Sequence, residues 1–324
     1  MKAVLLKAFG GSDQLYLGEI PRPELSSQQV LIKVKAAALN RADILQRKGL
    51  YPPPPGASDI LGMEVAGEVI EAGSDAQEKV GKQVMALLSG GGYAQYVAVH
   101  QNLTLPIPHN ISMQEAAGIM EAFITGWQAL HWLLKIKPEQ RMLIHAGASG
   151  VGSASIQLAK LSELVIVTTA SSSKIAFCQQ LGADVCIDYR KEDFDQVINR
   201  HYPDGVTAVI DFIGASYFQK NLNAMARDGR MVMLGLLGGS NLSGANLAPV
   251  LFKRLTIVGS TLRSRSLDYR MALIDDFSRH CHHHFMTGKL KPIIDRVFPW
   301  EQVAQAHDYL ESNQSRGKVI LSVA

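Results

Sequence analysis

A glycine-rich segment in the middle of the chain constrains the fold more than any other feature. Residues 145–152 read HAGASGVG, between an apolar run at 141–145 and a helix-like run at 151–161. Glycines at such a junction let a strand turn sharply into a helix and admit a ligand close to the backbone. The helix start adds unpaired N–H groups that favour an anion such as a pyrophosphate. The spacing is G-x-x-G-x-G rather than G-x-G-x-x-G, so a purely structural turn is the alternative.

Strand-like and helix-like stretches alternate on both sides of this turn. After a capping-box pattern at Ser112–Glu115, residues 116–134 show helical spacing. Strands are predicted at 141–145, 164–168, 185–187, 207–211 and 230–234, with helices at 151–161 and 173–181. This alternation predicts an α/β domain with a parallel sheet covered by helices on both faces.

The two ends of the chain show a different pattern. Short β-rich runs at 30–35, 64–70, 79–86 and 93–99 are separated by prolines at 52–55 and glycines at 90–92. They predict an irregular, mostly β domain. From about residue 265 the βα rhythm breaks, and the strand-like run 318–321 is expected to fold back onto this first domain.

Composition excludes several classes of protein. The 324 residues suffice for two domains, and 47% hydrophobic with 19% charged residues excludes a disordered chain. The net charge of +3 is too small to indicate nucleic-acid binding. Three cysteines without a CxxC pair give neither a disulfide framework nor a thiolate zinc knot. The first apolar run is too short for a signal peptide and no run suggests a membrane helix, so a cytoplasmic protein is expected.

The residues after the second predicted strand indicate which nucleotide is preferred. An NAD site usually has Asp or Glu about 20 residues beyond the first glycine, to bind the ribose hydroxyls. Here that stretch, 168–174, reads TTASSSK and has no carboxylate. Hydroxyls and Lys174, with Tyr189 and Arg190 beyond the third strand, suit a 2′-phosphate, so NADPH is favoured. For Lys174 alone, a solvated lysine at a helix start is the alternative.

Several motifs along the chain together resemble one known family. The sequence is similar to the zinc-independent quinone oxidoreductases of the medium-chain dehydrogenase/reductase superfamily. It most resembles the branch containing the tumour-suppressor-inducible quinone oxidoreductase, with zeta-crystallin a more distant relative. The resemblance spans essentially the whole chain and includes residues 38–43 (ALNRAD), 49–54 (GLYPPP), 62–67 (GMEVAG), 145–152, 188–194 (DYRKEDF), 262–265 (LRSR) and 317–319 (GKV).

The resemblance implies an α/β architecture of two domains. A GroES-like, mostly β catalytic domain would comprise residues 1–115 and 265–324. A Rossmann domain, with its doubly wound parallel sheet, would comprise residues 116–264 and bind NADPH, which would lie in the cleft. A homodimer formed through edge strands of the Rossmann sheets is also implied. The small net charge and the short apolar runs predict no nucleic-acid or membrane partner.

The resemblance also implies which residues form the site. Asn40 and Tyr51 would lie near the nicotinamide and the quinone, and Thr125 would contact the cofactor. Ser171, Lys174 and Tyr189 would hold the 2′-phosphate. The remaining cofactor-binding residues would be Gly147, Ala148, Ser149, Gly150, Val151, Gly152, Gly214, Leu236, Gly238, Leu262, Arg263 and Ser264.

The residue types argue against a catalytic metal. Zinc-dependent relatives need a Cys in the Asn40–Arg41 region and a His-Glu pair where this chain has Met63 and Glu64. Met is a poor ligand for Zn²⁺, and neither Asn nor Arg supplies a thiolate. His280, His282, His283 and His284 form a histidine-rich run, which we interpret as part of a surface helix.

These features predict NADPH-dependent, metal-independent reduction of a quinone, by hydride or single-electron transfer. A quinone is already electrophilic, so the protein mainly aligns it with the cofactor. Tyr51 could donate to the developing oxyanion or stack on the ring, and Asn40 could orient the ribose or the acceptor. Packing of the proline loop and capping of a turn are the structural alternatives. Reduction of activated C=C bonds in enones or enoyl thioesters, and NADPH binding with little catalysis, are the alternative functions.

Overall fold

The computed structural model describes residues 1–323, which divide into two compact units. Unit 1 comprises residues 1–124 and 262–323, and unit 2 comprises residues 125–261. The strands of the described residues are β1 Lys2–Leu6, β2 Leu15–Glu19, β3 Gln29–Ala38, β4 Glu64–Ala72, β5 Gln83–Leu87, β6 Tyr96–His100, β7 Thr104–Pro106, β8 Arg141–Ile144, β9 Val165–Ala170, β10 Val185–Asp188, β11 Val206–Asp211, β12 Met225–Met233, β13 Thr256–Gly259, β14 Ile294–Pro299 and β15 Lys318–Ser322.

Most of the α-helices are short, and one has 20 residues. They are α1 Arg41–Arg47, α2 Met113–Ala116, α3 Met120–Trp127, α4 Gly150–Leu161, α5 Ile175–Gln180, α6 Phe194–His201, α7 Ala215–Ala224, α8 Ala248–Phe252, α9 Leu267–Met286 and α10 Val303–Glu311. Within residues 1–323, none of the helices combines the length and the hydropathy of a membrane-spanning segment.

Unit 2 contains a six-stranded, fully parallel sheet in the order β10-β9-β8-β11-β12-β13. Counted within the sheet, this order is 3-2-1-4-5-6, the doubly wound arrangement of nucleotide-binding domains. The order reverses between β8 and β11, so a crevice is expected at their carboxyl ends. The predicted α/β Rossmann-type architecture is therefore confirmed.

One side of this sheet packs into a continuous apolar core. Leu143 on β8, Val167 on β9 and Val209 on β11 are fully buried against Phe194 and Leu222 from helices α6 and α7. Strands buried on both faces are apolar without alternation, which is the pattern that the sequence shows in these runs.

Unit 1 contains a mostly antiparallel sheet in the order β14-β15-β3-β4-β5-β7, with β6 also pairing with β3. Strands β1 and β2 form a separate hairpin. The C-terminal strand β15 lies antiparallel to β3, so the last strand of the chain completes a sheet begun near its start. The GroES-like, mostly β architecture predicted from the sequence agrees with this arrangement.

Several predicted element bounds were wrong; the strand predicted at 230–234, for example, runs from Met225 to Met233 as β12. The helical run 116–134 is broken after α2, and its second half passes from α3 into a π-helical turn, Gln128–Leu133. The strand predicted at 79–86 starts only at residue 83, because Gly81 takes a positive φ of 80° in a turn. The strand predicted at 93–99 starts at residue 96, since Tyr93 and Ala94 bond to β1 instead. The capping box at Ser112–Glu115 is confirmed.

Candidate functional site

The glycine-rich turn of unit 2 packs closely enough to require its glycines. A Cβ at Gly147 would lie 2.0 Å from Thr168 Oγ1, and one at Gly152 would lie 2.3 Å from the Ala146 carbonyl oxygen. Both contacts are far shorter than any real Cβ makes. The two glycines therefore let the turn lie directly on strand β9 and on itself.

The start of helix α4 presents backbone donors at this turn. Ser149 is its N-cap, and the Ser149 hydroxyl accepts the N–H of Gly152 at 3.1 Å. Gly150 and Val151 occupy the first two helical positions, so their N–H groups have no acceptor within the helix. Such donors at a helix N-terminus fit an anionic pyrophosphate. Ala148 is buried in the same turn.

His145 supports the turn from inside the sheet, a role that the sequence analysis missed. Its Nδ1 lies 2.9 Å from Thr169 Oγ1 and its Nε2 lies 2.7 Å from Asn221 Oδ1. Burial lowers the pKa of His145 to about 4, so the ring is neutral near pH 7. The imidazole thus fixes the strand-to-turn junction.

The residues predicted to hold a 2′-phosphate lie together at the ends of two adjacent strands. Ser171 follows β9 and caps the 3₁₀ turn that ends at Lys174, while Tyr189 follows β10 and is exposed. The same edge carries Asp188, which pairs in register with Ala170. The Asp188 carboxylate accepts hydrogen bonds from the Ser172 hydroxyl and the Arg190 N–H, which lower its pKa.

The residues of unit 2 that are predicted to bind the nicotinamide half of the cofactor follow strands β11 and β12. Gly214 has a φ of 82° and is held by Asp211, whose carboxylate accepts its N–H at 3.1 Å. A Cβ at Gly238 would lie 2.1 Å from Ser216 Oγ, while Leu236 is exposed nearby in the chain. These segments follow strands on one side of the switch point, where the cofactor is expected.

Thr125 on helix α3 carries an unsatisfied polar atom. Its hydroxyl is buried and has no hydrogen-bond partner among the described residues. A buried hydroxyl without a partner costs free energy unless a ligand or water satisfies it. This observation fits the predicted contact of Thr125 with a cofactor.

In unit 1, Asn40 belongs to a buried polar network. It precedes helix α1, but its side chain does more than end that helix. Asn40 Oδ1 accepts from Lys318 Nζ at 2.7 Å, and Asn40 Nδ2 donates to Glu64 Oε1 at 3.1 Å. Lys318 and Glu64 pair directly at 2.7 Å, with 4% and 0% of their side chains exposed. The network fixes the Asn40 amide.

The same network determines whether the residues around Asn40 and Glu64 could bind a catalytic zinc ion. The remaining oxygen of Glu64 accepts the backbone N–H of Glu121 at 2.9 Å, so both oxygens are bonded. The Lys318 ammonium lies beside the Asn40 amide and would repel a dication. Among residues 1–323, no three His, Cys, Asp or Glu side chains are grouped to hold a metal. The residues present do not fit a zinc ion.

Tyr51 lies half-buried under an arginine of the same unit. The Arg263 guanidinium carbon is 5.5 Å from the centre of the Tyr51 ring, a cation–π distance. Burial and the nearby Glu121 raise the pKa of Tyr51, so its hydroxyl keeps its proton. Leu262 and Arg263 are buried, whereas Ser264 is exposed. The structure thus brings Tyr51 and Arg263 together.

The histidine-rich run lies on the long helix α9, as expected. His280 Nδ1 lies 2.8 Å from the carbonyl oxygen of Asp276, one turn earlier on the same helix. This contact lies within helix α9 and involves none of the candidate residues described above.

Comparison with known families and proteins accounts for both units. Residues 26–109 match the alcohol dehydrogenase GroES-like domain and residues 150–279 match the zinc-binding dehydrogenase family. Together with the doubly wound sheet, these matches define an oxidoreductase built from a GroES-like and a Rossmann-type domain. The chain belongs to the medium-chain dehydrogenase/reductase superfamily.

Individual relatives differ in what their names describe. The chain is 33% identical to the NADPH-dependent alkenal/one oxidoreductase of Arabidopsis thaliana, over 99% of this chain and 79% of that protein. It is 31% identical to the synaptic vesicle membrane protein VAT-1 homolog of Homo sapiens, over 99% and 86%. Among solved structures, an NAD-dependent alcohol dehydrogenase matches with 31% identity and a TM-score of 0.88, over 100% of both chains. The quinone oxidoreductase of Coxiella burnetii matches with 31% identity and a TM-score of 0.82, over 100% and 99%.

Proposed function

We propose that this chain is an NADPH-dependent, metal-independent reductase of quinones. The observation that carries the proposal is the Lys318–Glu64–Asn40 network, which places an ammonium beside Asn40. Together with the backbone N–H of Glu121, it engages both oxygens of Glu64. A site built in this way suits an acceptor whose carbonyl needs no Lewis acid. A quinone meets that condition because it is already a strong electrophile. The Coxiella burnetii relative supports this acceptor class.

We infer that unit 2 binds the cofactor mainly through its backbone. The N–H groups of Gly150 and Val151 would hold the pyrophosphate, and the Thr125 hydroxyl would gain the partner that it lacks. When bound, the dihydronicotinamide supplies the two electrons of the reaction. Leu236 and Gly238 would lie along the nicotinamide half.

We propose NADPH over NADH because of the residues after β9 and β10. Ser171, Lys174 and Tyr189 offer donors and a positive charge to a 2′-phosphate, and no acidic residue ends β9. Asp188 is the only carboxylate in the segments 165–174 and 185–190, and the Ser172 hydroxyl and the Arg190 N–H already engage it. Those bonds make Asp188 a support for the turn rather than a ligand for ribose hydroxyls.

In unit 1, Tyr51 and Asn40 have separate roles in this proposal. The Tyr51 hydroxyl, which keeps its proton, donates a hydrogen bond to the oxyanion that develops on the reduced quinone. Arg263 beside the ring adds a positive charge that favours the same anion. Asn40, held by Lys318 and Glu64, orients the ribose or the acceptor. Solvent completes the protonation of the hydroquinone.

A second candidate function is reduction of an activated C=C bond. The named activity of the Arabidopsis thaliana relative, on alkenals and enones, supports it. Both reactions place an electron-poor carbon against the same face of the cofactor. They differ in the acceptor alone, so an acceptor series separates them.

The decisive experiment measures oxidation of NADPH and NADH with a simple quinone, an enone and a crotonyl thioester, with and without chelator. We expect turnover with the quinone and NADPH, unchanged by chelator. Preference for the enone or the thioester would establish the second function, and tight NADPH binding without turnover would indicate a binding protein.

Lys174→Gln should raise KM for NADPH about tenfold or more and KM for NADH little, because one charge-assisted contact is lost. Equal effects on both would remove Lys174 from the phosphate site.

We also propose that the chain forms a homodimer through the β13 edge of the unit 2 sheet. Strand β13 has a partner on one side only, and the preceding helix α8 exposes Leu251 and Phe252, with 72% and 73% of their surface accessible. An unpaired edge beside exposed apolar residues favours pairing with a second copy. Light scattering of the chain and of Phe252→Asp tests this, since the variant should be monomeric.

A further inference from the structure

Two arginines of unit 1 are held against one serine. Arg263 Nε donates to the Ser89 carbonyl oxygen at 2.7 Å, and Arg270 Nη1 donates to Ser89 Oγ at 2.7 Å. Arg263 is only 5% exposed, and Arg270 is half-buried. Guanidinium groups remain charged in proteins, so two positive charges are concentrated at Ser89. Buried charges are normally paired.

These two arginines lack the partners that such burial requires. Among residues 1–323, Arg263 Nη1, Arg263 Nη2 and Arg270 Nε are buried without a hydrogen-bond partner. No described carboxylate lies within 4.0 Å of either guanidinium. Asp43 and Glu121 act only from a longer distance, and burial raises the pKa of Glu121 to about 8. Glu121 therefore holds its proton at pH 7, which leaves the more distant Asp43 as the charged carboxylate that acts on Arg263.

A cavity of about 750 Å³ within unit 1 includes Ser89 and Arg270 in its wall. The loop 54–58 lines one side and strand β6 lines another, and none of the residues lining the cavity is Asp or Glu. Ile60, Leu87 and Val97 contribute apolar side chains to the wall. The volume is typical of small-molecule sites. The wall is thus largely apolar and carries two arginine side chains, those of Arg265 and Arg270.

We propose that this cavity binds an amphiphilic carboxylate, whose headgroup pairs with Arg270 in front of Arg263 and whose apolar body lies along Ile60, Leu87 and Val97. A monoanion fits because the wall combines few cations with much apolar surface. A guanidinium fork and a carboxylate form paired, charge-assisted hydrogen bonds. The proposal goes beyond quinone reduction and does not depend on the identity of the electron acceptor.

Calorimetric titration of the full chain with dodecanoate, below its micelle concentration, tests this site. We expect one dodecanoate per chain, at least tenfold weaker binding of dodecanol, and the same dodecanoate affinity with saturating NADPH present. Absence of binding, or equal binding of the alcohol, would overturn the proposal. Displacement of dodecanoate by NADPH would also overturn it, because the arginines would then belong to the cofactor site.

Variants on helix α9 locate the headgroup. Arg270→Gln should weaken dodecanoate binding at least tenfold. Arg279→Gln, which removes an exposed arginine paired with Asp275 on the same helix, should leave it unchanged. Leu267→Asp places a carboxylate in the cavity wall at the first turn of the helix, where an acid is compatible with folding, and should also abolish binding. Unchanged binding in both Arg270→Gln and Leu267→Asp would contradict the assignment.

Discussion

The two units present their candidate residues by different physical means. In unit 2 the backbone of residues 147–152 forms the site, and glycines are required because a Cβ would meet neighbours at 2.0–2.3 Å. In unit 1 the site is a network of buried side chains, in which Lys318 reaches Asn40 and Glu64 across 278 and 254 residues of sequence. The first kind of site tolerates change in side chains but not in glycines, and the second kind depends on each charged partner.

The largest effect is expected from breaking the buried pair of unit 1. Lys318→Met leaves Glu64 buried without its cation and should lower the free energy of unfolding by about 3–5 kcal/mol. Amide hydrogen exchange in β3 and β15, measured at increasing urea concentrations, reports this loss within unit 1. Lys48→Met, which removes a partly exposed partner of Glu311, is the control and should cost under about 1 kcal/mol. A double variant, Lys318→Met with Glu64→Leu, should recover part of the loss; no recovery would mean that packing dominates.

The next effect concerns pH and the buried histidine of unit 2. The pKa of His145 falls to about 4 in the folded chain, against an ordinary value of 6.5. Its contribution to stability is therefore complete above pH 6.5 and is lost as the pH falls from 6.5 towards 4. The full loss amounts to about 3 kcal/mol. Hydrogen exchange in β8 at pH 7 and at pH 4.5 measures the free energy of unfolding of unit 2. Between these pH values it should fall by most of this amount in the native chain and by little in His145→Gln. Equal slopes in both would exclude His145 as the source.

The contrast between the units also explains what the sequence could predict. The turn at 145–152, the parallel sheet and the positions of Ser171, Lys174 and Tyr189 follow from local spacing, because glycines and strand ends mark a backbone-built site directly. Asn40 and Tyr51 were singled out by family resemblance, but their partners were not. Lys318 and Glu121 lie far from those residues in sequence, and only the fold of unit 1 places Lys318 beside Asn40 and Glu121 near Tyr51. Asp188 was missed because its neighbour in the sheet, Ala170, lies 18 residues earlier.

A smaller effect is expected where the backbone-built site is most crowded. Gly152→Ala forces a Cβ against the Ala146 carbonyl oxygen, and relief of that contact should cost about 1–3 kcal/mol of stability. The shifted helix start should also weaken NADPH binding. Gly259→Ala is the matched control, because a Cβ there meets nothing within 4 Å. Thermal unfolding and NADPH titration of both variants measure the difference. Equal behaviour would show that the turn adjusts and does not require glycine at 152.

The smallest effect comes from an ion pair of unit 2 that is chemically like the buried pair of unit 1 but exposed. Arg254 donates to both oxygens of Asp228 at 2.6 and 2.7 Å, with 57% and 65% of the two side chains exposed. Water already solvates such charges, so Asp228→Asn should leave the free energy of unfolding almost unchanged. Asn is the suitable replacement, since residue 228 has a φ of 60° that Asn tolerates. Urea denaturation at low and high salt measures the change. A loss of stability as large as that of Lys318→Met would mean that burial does not determine how much each ion pair contributes to stability.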